Sequence, residues 1–72
     1  MEDFKDRLHI LLDYWIDHNK EHEEEMHEWA ARAASVGLKV AAELELAAAK
    51  LAEATASLEK AREALRDMPR GA

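Results

Sequence analysis

The sequence predicts an all-α fold, an antiparallel two-helix hairpin that self-associates into a four-helix bundle. Three observations point to it. Only Gly37, Pro69 and Gly71 punctuate the chain, and between them lie two long stretches rich in Ala, Leu, Glu, Lys and Arg, which are strong helix formers. Apolar residues recur at seven-residue intervals in both stretches, the spacing of coiled-coil packing. The apolar stripes are also wider than the single seam one hairpin can bury, and pairing two hairpins covers them.

The whole chain, 1–72, reads as one domain. A first helix is expected over about residues 3–35, a turn over about 36–38, a second helix over about 39–67 and a frayed tail over 68–72. Asp3 is the expected cap of the first helix, with Asp6 three positions on and acidic residues through the first turn. Gly37 suits the left-handed position that ends a helix, with Leu38 supplying the apolar contact that follows it. Pro69 closes the second helix, which it cannot continue.

In the second helix Leu44, Leu51, Leu58 and Leu65 form one heptad row, and Val40, Ala47, Ala54 and Ala61 fall between them. Alternating Leu with Ala lets a partner approach closely and leaves room for bulky side chains opposite. The first helix supplies these on the row Leu8, Trp15, His22, Trp29 and Val36, flanked by Phe4, Leu11, His18 and Glu25 and by Leu12, Asn19, Met26 and Ala33. The large apolar ends of this stripe, Trp15 and Trp29 included, are expected in the core or interface. Ile10 and Ile16 lie off the stripe and suggest a second contact surface.

Composition narrows the function. Seventy-two residues bury little surface, so a chain of this size needs a staple, and with no cysteine that staple is not a disulfide or thiolate metal site. The formal net charge of −6 argues against nucleic acid and anionic membranes as partners. The acidic N-terminus, Met1-Glu2-Asp3-Phe4-Lys5, does not resemble a secretory signal, so a cytoplasmic location is expected. The partner expected is a second copy of the chain, in a homodimer, with a larger protein as a further possibility.

The middle of the first helix carries the chemistry. At about 100° per residue, with His18 at zero, His22 falls near 40°, Glu25 near −20° and Glu21 near −60°. Two imidazoles and one or two carboxylates therefore share a face, with Trp15 and Trp29 one heptad either side of His22. Histidines at i and i+4 can ligate one ion, and a carboxylate three residues on can complete a facial set. His18, His22 and Glu25, with Glu21 as substitute, are the expected ligands of a divalent transition metal, one of Zn, Ni, Co, Cu or Fe. Residues 17–28 hold six acids and one lysine, so five of the six net negative charges lie here. A two-fold dimer would bring a second set, giving two sites or one shared site.

The same residues allow a plainer role. A polar layer of His18, Asn19 and His22 could only set register, as a single Asn does in coiled coils. His9 and His27 fall near 180°, where solvent is expected. Glu24 and His27 form the Glu-x-x-His spacing of di-iron bundles, yet both point outward and the second helix has no matching motif.

The string Leu12-Asp13-Tyr14-Trp15-Ile16-Asp17-His18-Asn19-Lys20-Glu21-His22, followed by Glu28-Trp29-Ala30, resembles a family of short helical-hairpin proteins from prokaryotes. Its pattern is W-I-x-H-N-x-x-H, with W-A one heptad later. The resemblance implies the hairpin and singles out His18, Asn19 and His22; it implies no activity.

Three functions stay open. The first is a small metal-binding bundle for metal handling, sensing or storage. The second is a non-metal oligomerisation or protein-docking module whose polar layer only sets register. The third is a di-metal, ferritin-like oxidase. Nothing supports nucleophilic catalysis: besides Tyr14 the only hydroxyls are Ser35, Thr55 and Ser57, and none lies at a sharp turn beside a base.

Overall fold

Asp3 starts the structure as expected. Its carboxylate accepts a hydrogen bond of 2.9 Å from the backbone N–H of Asp6, satisfying one of the free donors of the first turn. From there two helices run almost the length of the chain, α1 (Phe4–Ala33) and α2 (Leu38–Arg66). The structure, a computed structural model, describes residues 3–68, so Pro69 and most of the expected tail lie outside the described residues.

The turn differs from the expected one. Gly37 is extended, at φ 179°, and caps the start of α2 rather than adopting a left-handed conformation at the end of α1. The N–H groups of Val36 and Gly37 both donate to the carbonyl of Ala33, which tightens the end of α1 without a positive φ. Leu38 is exposed and begins α2.

The two helices pack against each other as a hairpin. They form a slab of 55 × 18 × 11 Å, one helix thick. Its radius of gyration is 16.6 Å, where a compact domain of this length would have about 11 Å.

The seam between the helices is not the row of tryptophans. On α1 the seam runs along the buried and half-buried Leu8, Leu12, Ile16, Asn19, Glu23, Met26, Ala30 and Ala33, while Lys5, Asp6, His9 and His22 are half-buried off that row. Ile16 is only 1% exposed, whereas Trp15 is 39%, Trp29 53% and Phe4 75% exposed. The buried face is thus rotated by about 80° from the expected stripe, at 100° per residue. On α2 the innermost residues are Ala48 and Thr55, each one position after the expected Ala47 and Ala54. Leu44, Leu51, Leu58 and Leu65 stay half-buried and border both rows.

Packing of Leu12, Ile16, Ala30 and Ala48 sets the rotation, and ion pairs accompany it. Arg62 Nη1 donates to Asp13 Oδ1 at 2.8 Å, Lys20 Nζ lies 3.4 Å from Glu59, and His27 Nδ1 lies 2.8 Å from Glu45 Oε1. All three pairs bridge the helices along one edge of the seam. Each such pair is worth little, about 0–1 kcal/mol, so together they reinforce an orientation that seam packing selects. Small Ala30 and Ala48 fill the seam where indoles would hold the helices apart.

Two predictions test this assignment. Ile16→Ala should cost about 2–5 kcal/mol in a denaturant titration, because it opens a cavity in the seam. Ile10→Ala, at a site 64% exposed, should cost under about 0.5 kcal/mol. The hydroxyl of Thr55 is buried without a hydrogen-bond partner. Thr55→Val should therefore raise stability by about 1 kcal/mol, since an unpaired buried hydroxyl carries a desolvation penalty; a lower melting temperature would refute the assignment.

Candidate functional site

His18, His22 and Glu25 do come together, on the face of α1 turned away from the ion-paired edge. His22 Nε2 and His18 Nε2 are 3.0 Å apart, and His22 Nδ1 is 3.0 Å from Glu25 Oε1. The i, i+4 and i, i+3 spacings of one straight helix produce this string. Tyr14, one turn earlier, stacks on His18 with centroids 5.3 Å apart and planes within 12°. The two imidazoles meet edge to face at 4.3 Å.

With both rings neutral, one set of tautomers satisfies these contacts. Glu25 accepts, so His22 carries its hydrogen on Nδ1 and leaves a lone pair on Nε2. His18 then donates Nε2–H to that lone pair. The result is a continuous donor chain from His18 through His22 to Glu25.

The arrangement differs from a facial set of three. The two Nε2 atoms lie within hydrogen-bond distance of each other, and Glu25 sits behind His22, on its other nitrogen. Among the described residues no group of three or more His, Cys, Asp or Glu is placed to hold a metal ion. Glu21 is exposed beside the pair. A single chain thus offers two neighbouring nitrogens, with a carboxylate orienting one of them. Histidine ligands of metals commonly have such a carboxylate on the second nitrogen.

Two other residues fall elsewhere. Asn19, half-buried, belongs to the seam with α2 and not to the histidine layer. His27 lies on the opposite, ion-paired edge. Besides Glu45 it has Glu23 at 3.7 Å, so it links the helices rather than standing free in solvent. His9 is half-buried at the open end of the hairpin, in a cleft of about 450 Å³ that it lines with Asp3, Asp6, Leu65, Arg66 and Met68.

Sequence reasoning missed Tyr14 as a neighbour of His18, although the i, i+4 spacing was legible. It also missed Arg32, whose guanidinium lies 4.4 Å from the ring centroid of Trp29. Phe4, Leu11, Trp15, Trp29 and Val36 share the histidine face and are exposed. No helix among the described residues is long and apolar enough to cross a membrane.

The chain belongs to a family defined by a domain of unknown function, DUF8180, which matches residues 8–65 and so spans both helices. No curated protein and no solved structure matches it.

The tautomers are directly testable. Long-range ¹H–¹⁵N spectra at about pH 8.5, where an ordinary imidazole is neutral, should show His22 protonated on Nδ1 and His18 on Nε2. Glu25→Ala should return His22 to a mixture of tautomers. A His22 protonated on Nε2 in the unaltered protein would contradict the string.

Proposed function

We propose that this protein is a small homodimeric four-helix bundle that binds a divalent transition metal through His18 and His22, for metal handling, sensing or storage. The observation that carries this reading is the proximity of two Nε2 atoms, 3.0 Å apart, with Glu25 on the far nitrogen of one of them. That separation is close to the span of two nitrogens on one ion at about 2.0–2.1 Å each. Binding would require His18 to change tautomer, its proton moving from Nε2 to Nδ1 through solvent, so that both rings stay neutral and both Nε2 lone pairs are available to the ion. Glu25 keeps its bond to His22 and fixes the ring. Glu21, beside His22 in sequence and near it in helical phase, can serve as an added oxygen ligand. Zinc, nickel, cobalt, copper and iron all accept such donors.

The histidine face carries exposed indoles that a second copy would cover, and a two-fold dimer would hold two equivalent sites or one shared site.

One observation favours a second reading. The hydrogen bonds of the string are satisfied within a single helix, so the layer can also act without metal, as a register-setting element of an oligomerisation or docking module.

Native mass spectrometry separates the two. Chelated protein, titrated with Zn²⁺, Ni²⁺, Co²⁺, Cu²⁺ and Fe²⁺ in turn, is expected as a dimer that takes up metal stoichiometrically. His18→Ala/His22→Ala should abolish uptake, and Glu25→Gln should weaken affinity by about 10–100-fold without abolishing it. A dimer that stays bare with every ion, and that gains stability with His22→Leu, would establish the polar layer alone.

A further inference from the structure

The hairpin has two unlike faces, and this difference constrains how a second copy fits. The three interhelical ion pairs lie on one edge of the seam. On the other edge lie Leu8, Trp15, His22 and Trp29 of α1 together with Val40, Ala47, Ala54 and Ala61 of α2, with the half-buried leucines between them. The α2 side of this face, Val40, Leu44, Ala47, Leu51, Ala54, Leu58, Ala61 and Leu65, holds no charged residue.

The exposed area matches a missing partner. The chain exposes 5624 Å², about 1,100 Å² more than the roughly 4,500 Å² expected of a compact monomer of 8.2 kDa. A stable dimer buries about 800 Å² or more on each partner. A second slab laid on the apolar face would remove an area of that size and bring the assembly to two layers.

Only two face-to-face arrangements have two-fold symmetry. If the axis runs parallel to the helices, both turns lie at one end and each α1 lies over the partner's α2. If it runs across the helices, the turns lie at opposite ends and each α1 lies over the partner's α1.

Side-chain size separates them. The ion pairs Asp13–Arg62, Lys20–Glu59 and His27–Glu45 set the register of the hairpin, which brings Trp15, His22 and Trp29 level with Ala61, Ala54 and Ala47. With the axis parallel to the helices, each large residue of α1 meets a small residue of the partner's α2. With the axis across them, indole meets indole and alanine meets alanine, so no single spacing of the layers closes both halves.

We infer that a second copy of this chain covers the apolar face with both turns at the same end, each α1 lying over the partner's α2. This inference rests on the dimeric reading above and deepens it by fixing how the second copy lies. The His18–His22 pairs of the two copies then sit at matching heights on diagonally opposite helices, each facing the partner's Ala54, so each copy keeps its own pair.

The orientation is measured without metal. The chain has no cysteine, so Val36→Cys, at an exposed turn position, can carry a single nitroxide label, and Ser35→Cys provides a second site if the first perturbs assembly. Pulsed dipolar spectroscopy of the chelated dimer should give a label-to-label distance below about 25 Å, for helices spaced about 8–10 Å apart. A distance of about 40 Å or more, from 1.5 Å per residue over two half-lengths, would overturn the arrangement while leaving the metal-binding dimer standing. A labelled protein that sediments as a monomer would overturn the dimer itself. Metal uptake, read separately by native mass spectrometry, would still report on the histidines.

Discussion

Two long helices share one seam, and the side chains able to fill that seam decide everything else about this molecule. Ile16, Leu12, Ala30, Ala48 and Thr55 occupy it. The row is thin because alanines alternate with branched residues, and it lets the helices approach closely. Once it is occupied by these residues, the tryptophans have no room inside. They are displaced to one face, and the ion pairs that close the opposite edge reinforce that placement. The histidine string lies on the apolar face for the same reason, since His18 and His22 share the helical phase of Trp15 and Trp29.

The polar string and the indoles impose opposite demands on that face. Indoles gain by burial, on the order of 25 cal/mol for each Å² of apolar surface removed from water. A carboxylate and two imidazoles lose hydration unless their bonds are kept. The structure reconciles these demands through geometry along one helix. Glu25 and the two rings bond to each other before any partner arrives, so covering the face strips water from groups that are already paired. Tyr14 extends the pairing by stacking on His18, and its exposed position leaves the phenol free at the edge.

Much of the fold was legible in the sequence. The cap at Asp3, the two helices and the turn near Gly37 follow from local propensity and from single residues with strong conformational preferences. The meeting of His18, His22 and Glu25 follows from helical spacing. Which side of a wide stripe faces inward was not legible, because heptad periodicity marks rows and not the partner of each row. Ile16 appeared to lie off the core, and Trp15 and Trp29 appeared to form it. The packing that decides it, and the ion pairs of Asp13 with Arg62, Lys20 with Glu59 and His27 with Glu45 that accompany it, join residues far apart in the chain. Nor does spacing reveal which nitrogen of His22 Glu25 takes. That depends on the rotamer, and it separates a ligand from a residue that orients one.

Glu25 also bears on whether the layer holds protons or a metal. Covering the face of a two-fold dimer would bring two carboxylates into a poorly hydrated layer with no lysine or arginine in the string to offset them. Protons could compensate, one on each His22–His18 pair, shared between its two rings. On the metal-binding reading a divalent cation would do the same while leaving the imidazoles neutral, the form in which they are ligands, and the hydrogen bond between His22 and Glu25 would orient that ring. On the register-setting reading the same bond satisfies the carboxylate within one helix.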